Sequence, residues 1–465
     1  MKHEDIHTLY FLGIGGIGMS ALARYFAHEG YCILGHDRTS TPLTKQLETE
    51  GMDIRYDACL DDVLSLDPAH TLVVRTPAVP EDDVRLAHFR QHGFAVAKRA
   101  EVLGWVTRHK KALCVAGTHG KTTTTTMLAH LLQSAHIASD AFLGGIANNY
   151  QTNILLNDDS EYVVVEADEF DRSFHHLTPH ISVITSMDPD HLDIYGTAAA
   201  YRESFATYAG LVEEALVVKA SVAQWVMEAV SPQCRVYRYG VKDGEEAMDF
   251  YADQVRVNDG TICFDFYTPE GVVADVQLGV PAWVNIENAV AAMAVAWLVG
   301  ARDEALREGL RSFAGVYRRF NIHINTPRVA YIDDYAHHPT ELKATIESVK
   351  RLYPDREVIG VFQPHLYSRT RDFADDFAAV LSELDEVVLL PIYPAREAPI
   401  SGVTSEWLME KIQKRTIDKV SVMDKKEVVA YLRERVASAD TAGVVLTLGA
   451  GDIDTLIQEL TNNIL

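Results

Sequence analysis

The chain of 465 residues is short of positive charge. Its 42 Lys and Arg face 66 Asp and Glu, for a net charge of −24 with histidine neutral. That balance excludes a coat for nucleic acid, and equally one for an anionic membrane, while leaving room for one local basic site for a small anion. Cysteine is scarce too: five residues, at 32, 59, 114, 234 and 263, are scattered and never spaced as CxxC. They can build neither a disulfide framework nor a cysteine zinc site. They suit a reducing compartment, so a cytoplasmic protein is expected. Long hydrophobic runs are missing. The longest candidate, Ala289 to Val299, is too short to cross a bilayer, and no membrane insertion is expected. The opening MKHEDIHTLY has no basic-then-apolar signal pattern, and there is no fixed-period repeat or low-complexity tract. What is present is ordinary globular composition, 48% hydrophobic and 23% charged. At roughly 150 residues per domain, the length points to about three domains.

The pattern along the chain agrees. HTLYFLGIGGIG reads as a strand entering a glycine loop, MSALARYFAHEG as a helix ending at Gly30, and YCILGHD, TLVVRTPAV and FAVAKRA as further strands. Such alternation predicts a parallel sheet covered by helices. At KKALCVAGTHGKTT the programme restarts with a strand, a second glycine loop and a long helix from Lys121. EYVVVEADE and HISVITSMDPDH are buried strands ending in acids. Between Cys234 and Pro281 the pattern turns to alternating β, with Asp259-Gly260 as a hairpin turn, predicting a small antiparallel insert. A third strand–helix unit starts near RVAYIDDYAHH. The expected boundaries are 1–107, 108–317 and 318–465, all of α/β class.

Gly13-Ile14-Gly15-Gly16-Ile17-Gly18 fits G-x-G-x-x-G between a strand and a helix. Glycines let the backbone approach a pyrophosphate, and the helix start offers N–H groups to it. Asp37, ending the next strand, is where an acid could bond a ribose hydroxyl. NAD is one reading, another diphosphate ligand a second, and a tight turn with close helix packing a third. The motif reports a diphosphate, not the base attached to it.

Gly117-Thr118-His119-Gly120-Lys121-Thr122 reads as a phosphate-binding loop, in which backbone N–H groups and Lys121 cradle the β- and γ-phosphates and the Thr122 hydroxyl binds Mg²⁺. It departs from the strict motif at Val115. The metal also needs an acid on a neighbouring strand, and Glu166 ends one. Asp188-Pro189-Asp190-His191 ends the next, offering ligands for a second cation. ATP and Mg²⁺ are therefore expected.

In the third unit, His365, Arg369 and Arg371 lie just past the strand EVIGVF, at the sheet edge where ligands of open α/β sheets bind. They form either a carboxylate clamp or a helix start salt-bridged to Asp372, Asp375 or Asp376. Asp334, His337 and His338 follow another strand. Arg318-Arg319 in the linker is either a γ-phosphate contact or an exposed hinge. From residues alone the expectation is an ATP-Mg enzyme with a second diphosphate site and a carboxylate site.

The ordered set GxGGxG, GTHGKTT, EADE, DPDHLD, DDYAHHPTE and QPHLYSRTRD, with IYPAREAPISGV and LGAGDI near the end, resembles the Mur ligases over essentially the whole chain. EADEFDRSF and DDYAHHPTE are similar to the branch that adds L-alanine. The resemblance implies a Rossmann-like UDP-sugar domain, a P-loop ATPase domain carrying the insert, and a Rossmann-like amino-acid domain. It implies that Gly13, Gly15, Gly16, Gly18 and Asp37 hold UDP-N-acetylmuramate. ATP would be bound by Gly117, Thr118, His119, Gly120, Lys121, Thr122, Thr123, Asn285 and Asn288, and by Arg319 and Asp334 from the third domain. Thr122, Glu166 and His191 would hold two Mg²⁺ ions; Lys121, Arg319 and His191 would be catalytic. His337, His365 and Arg369 would face L-alanine and the substrate carboxylate. The implied reaction moves the γ-phosphoryl of ATP onto that carboxylate, and the alanine amine then displaces phosphate, with domain closure before chemistry. Three positions depart from the family's usual pattern: Val284 stands for His before Asn285, Leu366 for Arg after His365, and Tyr201–Phe205 offers no lysine to carbamylate.

Overall fold

The computed structural model describes residues 5–57, 59–190, 192–244, 246–258, 260–395, 397–415, 419–439 and 441–463. His191 and Asp259 therefore lie outside the described residues. The chain packs into two units, one formed by Met1–Ala252, Phe266–Val273 and Asn288–Leu310, the other by Asp253–Asp265, Ala274–Glu287 and Arg311–Leu465.

The first sheet consists of β1 (Thr8–Leu12), β2 (Cys32–His36), β3 (Asp53–Arg55), β4 (Thr71–Arg75) and β5 (Ala95–Lys98), in the order β3-β2-β1-β4-β5. All its pairings are parallel. TLYFL and TLVVR are apolar almost throughout because both faces of a parallel sheet are covered. The strand order reverses at β1, so a crevice opens beyond its carboxyl end, where the Gly13 loop lies. The helix Ile17–His28 follows and is stopped at Gly30, whose φ of +88° suits a residue without a Cβ.

Arg85, only 1% exposed, organises this sheet's other face. It donates to Tyr10 Oη at 2.8 Å, Asp62 Oδ1 at 2.7 Å and the Asp57 and Cys59 carbonyls, while Tyr10 Oη donates to Asp62 Oδ2 at 2.7 Å. Arg85→Ala is expected to cost about 3–5 kcal/mol, because it strands a carboxylate in a site built for a guanidinium. Chemical denaturation of the intact chain checks this; a change below about 1 kcal/mol would mean water replaces the guanidinium freely.

The second sheet runs β15-β14-β13-β12-β11-β10-β6-β9-β7-β8. Its strands are β6 (Lys111–Ala116), β7 (Ser139–Ala147), β8 (Thr152–Leu155), β9 (Tyr162–Ala167), β10 (Pro179–Ile184), β11 (Ala215–Lys219), β12 (Arg235–Val241), β13 (Phe250–Asn258), β14 (Thr261–Thr268) and β15 (Gly271–Gln277). Central β6 lies parallel between β10 and β9. The alternating β segments do not stand apart: β12 pairs parallel with β11, and β13 to β15 continue the same sheet. The helix Lys121–Ser134 contains five consecutive threonines, a weak helix-forming run. Packing overrides propensity here. Thr124, Thr125 and Thr126 are buried, with Thr126 Oγ1 donating to Thr122 O at 2.8 Å.

The third sheet comprises β16 (Asn321–Asn325), β17 (Val329–Asp334), β18 (Glu357–Phe362), β19 (Glu386–Leu389), β20 (Val420–Val422) and β21 (Gly443–Leu448), ordered β16-β17-β21-β18-β19-β20. Only the edge strand β16 is antiparallel to its neighbour. The order reverses around β21, and the carboxyl ends of β17 and β18 carry Asp333-Asp334 and Gln363. Among the described residues no helix is long and apolar enough to cross a membrane.

Candidate active site

The second glycine loop joins β6 to the helix Lys121–Ser134. Gly120 has φ +81°, and a Cβ there would lie 2.6 Å from Asn288 Oδ1; one at Gly117 would lie 2.0 Å from Thr185 Oγ1. Neither position tolerates a side chain. Thr118 Oγ1 donates to Asp188 O at 2.8 Å, and His119 N donates to Ser186 Oγ at 2.9 Å, so the loop is tied to the segment after β10. The helix start at Gly120 has no capping side chain, leaving its N–H groups for an anion. Thr123 is the third residue of that helix.

Lys121 is the half-buried cation of the loop. Its Nζ donates to Gly117 O at 2.7 Å and lies 2.7 Å from Glu169 Oε2. Burial opposes the ammonium charge, but Glu169, Glu166 and Asp168 outweigh it and push the lysine up. Glu169 is itself driven up to about 7 by burial, against the pull of Lys121. In the sequence Glu169 is only the last residue of EYVVVEADE. The signal was its place three residues after Glu166, after the strand has ended, where the chain turns back over the loop.

Glu166, next to last in β9, accepts from Thr122 Oγ1 at 2.9 Å. Gly144 on β7 makes room for it: a Cβ there would lie 1.8 Å from Glu166 Oε2. A hydroxyl and a carboxylate held together at a phosphate loop are the oxygen donors a hard cation takes, so Mg²⁺ fits. Among the described residues no three His, Cys, Asp or Glu side chains converge as a metal cluster.

The first glycine loop is tied to the end of β2. Gly15 N donates to Asp37 Oδ2 at 2.8 Å, Gly13 N to His36 O at 2.8 Å, and Gly16 N to Gly13 O at 3.2 Å. A Cβ at Gly15 would meet Asp37 Oδ2 at 2.8 Å, and one at Gly18 would meet Arg99 Nη1 at 2.8 Å. An open cleft of about 210 Å³ is lined by Ile17, Gly18, Arg99, Gly144, Glu166 and Asp168, among others. The start of the first loop's helix and the Glu166 carboxylate beside the second loop thus share one cleft, in which Arg99 Nη2 lies 3.3 Å from Asp168. Asn288 accepts from Thr124 Oγ1 at 3.2 Å, and Asn285 Nδ2 donates to Val280 O at 3.2 Å.

In the second unit the ends of β17 and β18 bring the expected residues together. Asp334 accepts from Phe320 N at 2.9 Å and Ala336 N at 2.7 Å, and burial raises it to about 6 against the influence of Arg319. The linker arginines differ. Arg318 is buried and donates to Gly449 O and, at 3.0 Å, to Gly451 O, whereas Arg319 lies half-buried over the Tyr335 ring at 5.0 Å. The His337 and His365 rings are 5.9 Å apart, and Arg369 Nη1 is 3.5 Å from His365 Nδ1. Arg371 instead pairs with exposed Asp372 at 2.7 Å. Of the two readings of that segment, the salt-bridged helix describes Arg371, and Arg369 is the cation turned toward the histidines. Leu366 sits at φ +68° at the head of the short helix Tyr367–Asp372, its N–H donated to Tyr393 O at 2.9 Å.

Residues 8–111 match the Mur ligase family catalytic domain, residues 115–296 the Mur ligase middle domain, and residues 318–451 the Mur ligase glutamate ligase domain. The chain is 52% identical over 463 residues to a UDP-N-acetylmuramate–L-alanine ligase of Parabacteroides distasonis, covering 98% of this chain and 97% of the relative. The structure is similar to that of UDP-N-acetylmuramate–alanine ligase from Thermotoga maritima, with TM-score 0.80, 27% identity and 98% of each chain covered. The fold of a murein peptide ligase from Psychrobacter arcticus is also similar, with TM-score 0.68, 23% identity and 98% of each chain covered. The chain belongs to the Mur ligase family.

Proposed function

We propose that this chain is an ATP-dependent ligase that joins L-alanine to the carboxylate of UDP-N-acetylmuramate through an acyl phosphate, making a peptidoglycan precursor. The observation that carries the reading is the shared cleft: Glu166, paired with Thr122 at the phosphate loop, faces the same space as the helix start after Gly13–Gly18. A phosphoryl donor on one loop and a diphosphate-anchored carboxylate on the other would meet there. The 52% identity over nearly the full length supports L-alanine and UDP-N-acetylmuramate as the substrates.

The roles follow the chemistry. A carboxylate and a triphosphate repel, and a free carboxylate has a poor leaving group, so the reaction needs neutralisation and activation. Residues 1–107 would hold the UDP-sugar, with Gly13, Gly15, Gly16, Gly18 and Asp37 at its diphosphate and ribose. Residues 108–317 would hold ATP, with Gly117–Thr123 around the phosphates and Asn285 and Asn288 toward the base. Lys121 would exchange Glu169 for phosphate oxygens. Thr122 and Glu166, with His191, would hold Mg²⁺, which neutralises phosphate charge when bound. Residues 318–465 would bind the amino acid, through His337, His365 and Arg369, and supply Arg319 and Asp334 to ATP.

Phosphate release from ATP tests the reading, with UDP-N-acetylmuramate and a panel of amino acids and peptides. Release that requires L-alanine, with a product heavier by one alanyl residue, supports it. Release only with a peptide moves the assignment to a recycling ligase. Within the site, Arg369→Ala is expected to raise the apparent KM for L-alanine by roughly 10- to 100-fold, the loss of one charge-assisted bond of ~1.5–3 kcal/mol. An unchanged KM would move the carboxylate contact to another cation.

A further inference from the structure

The amine of L-alanine arrives protonated and must lose a proton before it can attack, so some group must take that proton. Two imidazoles stand at the amino-acid side of the proposed site, and their ring nitrogens are engaged differently. His337 Nδ1 lies 3.0 Å from Tyr335 O and 3.3 Å from Glu341 Oε2. Both partners accept, so Nδ1 carries the proton and the lone pair of the neutral ring is on Nε2. Glu341 is fixed in turn, since its Oε2 also accepts from His337 N at 3.1 Å and His338 N at 3.3 Å, at the start of the helix Pro339–Leu352. His365 has the opposite arrangement: its Nδ1 faces the Arg369 guanidinium, a donor, at 3.5 Å. That leaves the His365 lone pair committed to Arg369 and its proton on Nε2.

We propose that His337 Nε2 is the base that takes the proton from the L-alanine ammonium, with Glu341 and the Tyr335 carbonyl orienting the ring through Nδ1. The assignment rests on the ligase reading above. In the step, the ammonium gives one proton to Nε2 and its nitrogen lone pair attacks the acyl carbon. The C–N bond forms and the carbonyl π pair moves to oxygen. That pair then returns, the C–O bond to phosphate breaks, and the second amine proton leaves with the phosphate. His337 returns its proton to water.

The surroundings keep the ring in the form a base needs. Burial lowers His337 first; Glu341 opposes, and Arg369 and Arg319 lower it further. The charged and titratable groups facing it are Glu341 from the helix that follows, Arg319 from the linker, Tyr335 beyond β17, and His365 and Arg369 from the segment after β18. His365 is lowered too, to about 4, by burial, His337 and Arg369, and its Nδ1 lone pair is the one turned to the guanidinium. Because the folded His337 is lowered from 6.5, its neutral form persists below that pH, and the rate falls only as pH drops through the lowered value.

The test uses hydroxylamine, an amine already unprotonated at neutral pH, in place of L-alanine. With ATP, Mg²⁺ and UDP-N-acetylmuramate, His337→Gln is expected to lose alanylation by roughly 10²- to 10⁴-fold. Hydroxamate formation should stay within a few-fold of the unaltered enzyme, which also shows that the variant is folded. In the variant the residual alanylation should follow the fraction of free amine, still rising with pH through the range where the unaltered enzyme has levelled off. Equal loss of both products, or loss of neither, overturns the assignment. An unaltered enzyme that makes neither product would instead contradict the ligase reading itself.

Discussion

Lys121→Ala is expected to lower turnover by roughly 10³-fold while leaving UDP-N-acetylmuramate affinity, measured by calorimetry, nearly unchanged. The separation follows from where the lysine sits. It belongs to the second glycine loop, bonded to Gly117 O and Glu169, and none of its bonds reaches Gly13–Gly18. Its charge would be spent on phosphate oxygens, whose negative charge must be shared as the γ-phosphoryl moves. Removing Lys121 also leaves Glu169, 2% exposed, without its counter-ion. That carboxyl then takes a proton more readily, and the chain should melt at lower temperature. Lys121→Ala combined with Glu169→Gln should recover the melting temperature without recovering turnover. Lost affinity for the UDP-sugar would contradict the assignment of the two loops to separate ligands.

Gly144→Ala is expected to cost roughly 10²-fold in kcat and to raise the Mg²⁺ concentration needed for half-maximal activity. The backbone of Gly144 sits where alanine is allowed, so the strand itself should persist. The added Cβ would stand 1.8 Å from Glu166 Oε2 and 2.9 Å from Thr122 Oγ1. The carboxylate must rotate away, and the pair of oxygens at the phosphate loop separates. Because the displaced atom ends a flexible side chain, the melting temperature should change little. Wild-type activity and Mg²⁺ dependence in this variant would mean that Glu166 is not where the cation is held. A fall in stability matching the fall in activity would mean that the strand, not the site, had been damaged.

Much of this was legible along the chain because the chemistry follows strand ends. A strand, a glycine loop and a helix in succession locate Lys121 and Thr122, and an apolar strand ending in Glu166 locates the acid beside them. The parallel sheets were legible for the same reason, since strands buried on both faces read as unbroken apolar runs. The segment from Cys234 to Pro281 shows the limit. Its alternation predicts one covered face, but which sheet its strands join depends on pairings between distant residues, and β12 pairs with β11. Local pattern also says nothing of side-chain choice between partners. Arg369 and Arg371, two residues apart, are equivalent in local pattern, and only the family resemblance singled out Arg369; it turns to His365, and Arg371 to Asp372. The supporting residues were the least visible. Gly144 matters through atoms it approaches across the fold, and a lone glycine in a strand carries no mark of that. The resemblance to the Mur ligases placed roles on residues whose motifs alone named only phosphate, metal and cation.

The acyl phosphate is the centre of the account, and oxygen transfer tests it most directly. UDP-N-acetylmuramate labelled with ¹⁸O in its carboxylate is turned over with ATP and L-alanine, and the released phosphate is weighed by mass spectrometry. One labelled oxygen is expected in each phosphate released, because the carboxylate oxygen that took the phosphoryl group departs with it. Phosphate that carries no label while alanylated product accumulates would contradict it.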